Sequence, residues 1–598
     1  MRINKLLIVT LVFSFLFSSC KKEESIDPET CPHEHLVLDE EVEPTPESDG
    51  YTSGHHCKRC NKKIDGYDVI KYGQLKINNE TAYTISRYTS SFEVNNISFQ
   101  AGNIKRADNF LTLQNHGVLT NISPVYKIKS LSFDISSTKV EVYLTLGHDA
   151  LPFLNEERII DINYRETFDE HHRYFLISNH DVNEVTISNL EMTYFYLEKG
   201  EEETTLPNIE IKTNGGQPIV SRDEYVESTV SVTDPNNSEN NLVDAPAGIR
   251  VRGNSTSGED KKPYRIKFDK KQSMFGLTKA KNWVLLAEYY DPTTMHNYIA
   301  QSIIGMLNDP KVVLHPIHVT VTVNGKYQGL YVFLEQPDEK EGRVNIEQEL
   351  TTDMDVSEIN FLIEQDGRAY ESGPENITYI TVNGTYYEIK YPEIDEFPDY
   401  DANSNSSNMF NRFINHLKDL LTQAWNAMNS RSLAKIMNLF DMNSLYNQSI
   451  LDVYSDERDH SWLSIKMFRD KEGKINFGPC WDYDIVAWGT IWSGSYYANP
   501  FKDQVQPTYQ PSNEWLNVIA SKIDASKDEF KARMHAFLVN HQQDILNLFH
   551  QEFGYIANEA VKNGIMWYEK NIAITYENVR FFEHYLNVRY LELLSIYS

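Results

Sequence analysis

Short runs in which apolar and polar side chains alternate fill the chain from about residue 64 to 391, and helical spacing takes over from Phe410. Alternation with a period of two puts one set of side chains on each face of a strand, whereas spacings of three and four mark one face of a helix. Between residues 64 and 204, TAYTISRY, SFEVNNISFQ, LTLQN, KIKSLSFDI, KVEVYLTLG, RYFLISN and EVTISNLEMTYFYLE are separated by Asn, Ser, Asp and Gly turns. They predict an all-β antiparallel sandwich. LPNIEIKT opens a new unit at about residue 206, which continues with GIRVRGNSTSGEDKKPYRIKFDKK, two strands about a Gly-, Ser- and Asn-rich turn. VTVNGKYQGLYVFLEQPD reads as a hairpin about Asn324-Gly325, and FLIEQD and YYEIKY as further strands. Asp291 with Pro292 predicts the start of a helix that turns Ile299, Ile303 and Met306 to the core. Phe410, Phe413, Ile414, Leu417, Leu420 and Leu421 share a helix face, SLYNQSILDVY is a second helix, and residues 509–598 predict three or four more, packed as a buttress.

One hairpin interrupts the helical part. In DERDHSWLSIKMFRDKEGKINFGPCWDYDIVAWG, two strands turn about KEGK. Asp456, Glu457 and Asp459 precede the first strand, and Asp482 and Asp484 follow the second, so the hairpin carries both acidic groups to one end. Paired acids of this kind suit a divalent cation. A surface acidic patch is the alternative, against which the interleaved Trp481, Tyr483, Ile485 and Trp488 argue for partial burial. Upstream, Arg250, Arg252, Lys262, Arg265 and Lys267 concentrate positive charge on the GIRVRGNS hairpin, either as a solvated strand face or as a site for oxygen-rich anions.

Composition narrows the picture. With 598 residues the chain exceeds one ordinary core, and a net charge of −30 with no basic arm argues against nucleic acid as a partner. Arg2 and Lys5 precede LLIVTLVFSFLF and the small pair Ser18-Ser19 before Cys20. This predicts a signal segment, 1–20, rather than a spanning helix. It resembles a bacterial lipobox, which implies lipidation of Cys20 and attachment to the outer membrane of the envelope, facing the periplasm or exposed on the surface. An acidic, Pro- and Ser-rich tether follows, and residues 21–62 include CPHEH and HHCKRC. Cys31, His33, Cys57 and Cys60 have the residue types and spacing of a four-coordinate structural zinc, a Cys57–Cys60 disulfide being the alternative. The sandwich of residues 64–204 is similar in pattern to the jelly-roll accessory modules of secreted bacterial proteins. Its aromatic residues belong to the core or stack on a glycan.

RGNS, KKPYRIKF, MFGL, WVLLAEYYDPTTMHN, VNGKYQGLYVFLEQ and WDYD, in this order over residues 206–500, resemble the CotH family of atypical, spore-coat-type secretory protein kinases. The resemblance implies a multidomain chain whose residues 206–508 form an α+β kinase-like domain. It implies transfer of the ATP γ-phosphoryl group, with Mg2+, to Ser or Thr of an exported protein. It further implies Asp459 as catalytic base, Asp482 and Asp484 as magnesium ligands, and Arg252 with Lys262 or Lys267 on the nucleotide phosphates. Phosphoryl transfer needs cations on the phosphates, acids on the metal and a carboxylate on the attacking hydroxyl, and the two hairpins supply all three. Two positions depart from the family pattern: Ser464, five residues after Asp459, stands where an Asn ligand is expected, and His296 stands where Arg is common. The alternative function is a catalytically silent surface scaffold or glycan-binding adhesin.

Overall fold

The structure is a computed structural model that describes residues 28–29, 31–77, 90–107, 110–136, 139–149, 152, 155–200, 205–368, 378–489, 508–568 and 572–598. The signal segment and Cys20 lie outside the described residues, as does the expected strand at 81–88. The chain divides into two compact units, Met1–Gly73 with Tyr194–Glu201, and Gln74–Thr193 with Glu202–Ser598. In the first, Leu36–Asp39, Gly54–Cys57 and Lys63–Gly66 form a three-stranded antiparallel sheet. Among the described residues, no helix is long and apolar enough to cross a membrane.

The alternating runs expected between residues 64 and 204 become antiparallel strands close to where the pattern puts them, including Phe110–Asn121, Lys127–Ile135 and Tyr174–Asn179 in the second unit and Val185–Leu197, whose last four residues belong to the first. Hydrogen bonds join them into one branched network, because Val185–Leu197 pairs with both Phe110–Asn121 and Lys127–Ile135. Leu131, Phe133 and Ile135 are buried on alternate positions, the mark of a strand with one face inside.

Seven strands then close a barrel in the order Asn208–Thr213, Val226–Thr233, Leu242–Val251, Tyr264–Gln272, Ala280–Leu286, Lys326–Glu335 and Ile317–Val323. Strand direction cannot alternate all the way round an odd number, and Asn208–Thr213 accordingly closes the barrel by running parallel to Ile317–Val323. Period-two alternation then divides the side chains. Trp283, Leu285, Tyr331 and Phe333 fill the barrel interior, while Val284, Leu286, Val332 and Leu334 point outward onto Leu362, Tyr391, Phe468 and Trp481. These last four come from or follow a five-stranded sheet in the order Tyr379–Val382, Thr385–Tyr391, Phe361–Gln365, Ile465–Arg469 and Ile475–Phe477. The barrel wall therefore lies directly against the acidic hairpin.

Helices complete the unit. His296–Met306 starts five residues after the expected Asp291 cap, because Asp291 spends one carboxylate oxygen on Thr293 N (2.9 Å) and gives the other to His296 N (2.8 Å). Asn408–Asn429 and Met442–Ser455 match expectation, but the C-terminal region is dominated by two long helices, Asp524–Trp567 and Ile572–Tyr597. These also carry the branched sheet: Tyr174 Oη donates to Asn558 (3.0 Å), and Arg580 pairs with Glu157 (3.2 Å). His318 of the barrel, fully enclosed, joins Glu552 (2.6 Å) to the Thr294 carbonyl (2.9 Å).

The barrel packs tightly on the long helix at Gly329, where φ is +103° and an added Cβ would lie 2.5 Å from Asn563 Oδ1. Asn563 Oδ1 accepts from Leu330 N (3.2 Å), so it cannot swing aside without stranding a buried amide. Gly329→Ala is expected to destabilise by about 2–4 kcal/mol in urea melts. Gly215→Ala, at φ +65° with nothing within 4 Å, is expected to cost only about 1–2 kcal/mol.

Candidate active site

Helix Met442–Ser455 ends at Asp456, in the left-handed conformation at φ +55°. Its carboxylate accepts from Thr508 N (2.8 Å) and Oγ1 (2.7 Å) and pairs with Arg458 (2.6 Å), a structural anchorage. The next acid, Glu457, is buried and takes the amide of Asp459 on Oε1 (2.6 Å). That fixes the backbone at Asp459, whose own half-buried carboxylate has no hydrogen bond among the described residues. Burial first, then the negative charge of Asp482, raises the Asp459 pKa to about 6.

The hairpin strands Ile465–Arg469 and Ile475–Phe477 pair in antiparallel register and return the chain to the same end, as the alternation predicts. There Asp482 sits at φ +72° and Ser464 at φ +58°, backbone conformations uncommon for side-chain-bearing residues. Ser464 Oγ donates to Asp482 Oδ2 (2.7 Å), so the serine that replaces the expected Asn positions an acid.

The WDYD loop is clamped from two helices. Asn297 accepts from Tyr483 N (2.9 Å) and donates to Glu288 (3.0 Å), and Gln301 donates to the Cys480 carbonyl (2.7 Å). From the other side, His460 bonds Asp452 through Nδ1 (3.1 Å) and the Trp481 carbonyl through Nε2 (3.1 Å). Two acceptors on two ring nitrogens require an imidazolium. Although burial opposes the charge, Asp452 and Glu457 raise the His460 pKa to about 10. His296, at the other unusual position, is buried with Nδ1 3.4 Å from the Asp484 carbonyl, and burial lowers its pKa.

Asp484 is buried, and among the described residues its Oδ1 has no hydrogen-bond partner. Burial, then Asp482 and Asp291, push its carboxyl well up; burial, then Asp484 and Asp291, do the same to Glu288. Acids that oppose one another's ionisation in this way suit a bound cation. Arg252 lies 5.1 Å above the Trp481 ring, in the field of Asp482 and Asp484. The structure thus gathers Asp459, Asp482, Asp484 and Arg252. It puts Lys262 on the Ser257 carbonyl (3.0 Å) and Lys267 on the exposed face over Tyr225 (5.7 Å). Glu288, Asn297, His460 and Lys466 escaped the sequence reading; the first two lie in the quoted WVLLAEYYDPTTMHN, but nothing in their spacing marks them as partners.

Residues 249–590, more than half of the 598, match the family described as CotH kinase protein. The chain belongs to the CotH kinase family. No curated protein matches it. The family match runs from the end of the barrel strand Leu242–Val251 through the WDYD loop into helix Ile572–Tyr597, so the two long helices fall largely within it.

In the other unit, Cys31, His33, Cys57 and Cys60 bring their ligand atoms within 4.8 Å of one another, the one such set of three or more among the described residues. The three cysteines are free of disulfides, and Cys31 Sγ lies 3.6 Å from Cys57 Sγ, close to the roughly 3.8 Å that tetrahedral Zn–S bonds of about 2.3 Å impose. Asp482 and Asp484 would offer a cation fewer protein ligands, which suits Mg2+ where water and phosphate oxygens complete the shell.

His460 gives a pH test. Its folded pKa of about 10 stands above the ordinary 6.5, so its contribution is complete below pH 6.5 and is lost as pH rises through about 10. The difference in thermal stability between the native chain and His460→Gln is expected to be largest below pH 6.5 and to close by about pH 10.5.

Proposed function

We propose that this CotH-family chain is an ATP-dependent protein kinase acting on Ser or Thr of an exported protein. The observation that carries this reading is the buried, unpartnered Oδ1 of Asp484, beside Asp482 and facing Arg252, with the unbonded carboxylate of Asp459 across the same pocket of charge. Asp482 and Asp484 would hold Mg2+, and the magnesium-bound triphosphate would supply the transferable phosphoryl group. Ser464 fixes one oxygen of Asp482 and leaves the other for the metal. Arg252 neutralises phosphate oxygens. Asp459, ionised at neutral pH, accepts the hydroxyl hydrogen bond of the acceptor and orients its oxygen. A structural zinc on Cys31, His33, Cys57 and Cys60, a lipid on Cys20 and a glycan on the sandwich belong to the same proposal, which sets the enzyme on the outer membrane.

ATP with Mg2+ is expected to raise the melting temperature, a shift that an inert scaffold would lack. Asp482→Asn should weaken Mg-dependent ATP binding together with turnover. Asp459→Asn should leave ATP affinity nearly unchanged while turnover falls about 100-fold or more, and native turnover should decline below pH 6 as Asp459 protonates. Equal loss of ATP affinity in both variants would make Asp459 a metal ligand instead. For the zinc, metal analysis of the purified chain should find one equivalent, released by Cys57→Ser with Cys60→Ser while ATP binding persists.

A further inference from the structure

The two lysines chosen from the basic hairpin are turned to other partners, which leaves Arg252 as the only cation yet assigned to phosphate. A triphosphate carries more charge than one guanidinium offsets, and a second cation is present. Lys466, on the strand between Asp459 and Asp482, is nearly buried and lies 5.4 Å over the same Trp481 ring that carries Arg252 at 5.1 Å. Its ammonium donates to Glu364 (2.6 Å), the residue directly opposite in the strand pairing. That is its one hydrogen bond among the described residues, so two of its three N–H groups are unspent. The Arg252 guanidinium has no hydrogen bond there at all.

Glu364 is met by two lysines, one of which it shares with Glu388. Lys390 of the neighbouring strand, which also donates to Glu388, lies 3.1 Å from its other oxygen, so Glu364 keeps a cationic partner when Lys466 is removed. Burial alone would raise the Glu364 carboxyl, yet Lys466 and Lys390 together lower its pKa to about 2. A carboxylate shared by two lysines holds Lys466 in place without cancelling it, and Lys466 feels the charge of Asp482 as well. The Trp481 ring, wedged under the barrel wall, sets the spacing of the two cations.

We infer that Lys466, held by Glu364, is the second phosphate-binding cation of the site and acts with Arg252 on the triphosphate of the nucleotide, an inference that rests on the kinase reading above. Because Lys390 stays on Glu364, the neutral variant Lys466→Met is expected to fold.

Calorimetric titration of the full chain with adenosine and with MgATP separates the possibilities. Lys466→Met should weaken MgATP 10- to 100-fold and leave adenosine affinity and the unliganded melting temperature nearly unmoved, while Lys466→Arg should retain most of the MgATP affinity. MgATP affinity equal to native in Lys466→Met would overturn the inference and leave the kinase reading standing. Equal weakening of adenosine and MgATP, or a collapsed melting temperature in Lys466→Met and Lys466→Arg alike, would make Lys466 structural and also overturn it. A native chain that binds no MgATP would remove the kinase reading and the inference together.

Discussion

Negative charge held out of water is the constraint around which this chain is built. Asp452, Glu457, Asp484, Glu288 and Asp291 are all buried within or beside one loop. Such a group is costly unless each charge is protonated, hydrogen-bonded or faced by a cation, and all three remedies are in use. Asp484 and Glu288 are driven toward the neutral form, Asp452 is answered by the His460 imidazolium, and Arg252 faces Asp482 and Asp484.

The frame explains how these groups are kept from relaxing apart. Asn297 and Gln301 project from a helix tied through Thr294 and His318 to the barrel and to the long helix Asp524–Trp567. Trp488, fully enclosed against Phe582 and Tyr585 of the last helix, donates to the Tyr483 carbonyl (3.0 Å). The C-terminal helices are thus part of the site's rigidity, which agrees with their inclusion in the family match.

Much of the scaffold was legible because it depends on local pattern. Period-two runs located the strands of the barrel and of the branched sheet, Asn324-Gly325 located a hairpin with both residues at positive φ, and the acidic hairpin delivered its acids to one end. What sequence could not convey was which of several like charges turns inward. Lys261, Lys262, Arg265 and Lys267 stand in one strand region, yet Lys261 is the one enclosed, over Tyr331, and Lys267 is exposed. Barrel closure decides that, through residues far apart in the chain. Lys466 was hidden for the same reason: its partner Glu364 lies more than a hundred residues away and meets it only when the sheet forms.

The central claim is that Asp482 and Asp484 share a divalent cation that joins them to a triphosphate facing Arg252. Crystals grown with Mn2+ and a non-hydrolysable ATP analogue test it by anomalous diffraction. A manganese peak within coordination distance of both carboxylates, bridged to phosphate oxygens, is the predicted result. A peak at Asp456 or Glu457, or ordered nucleotide with no metal at the WDYD loop, would contradict it.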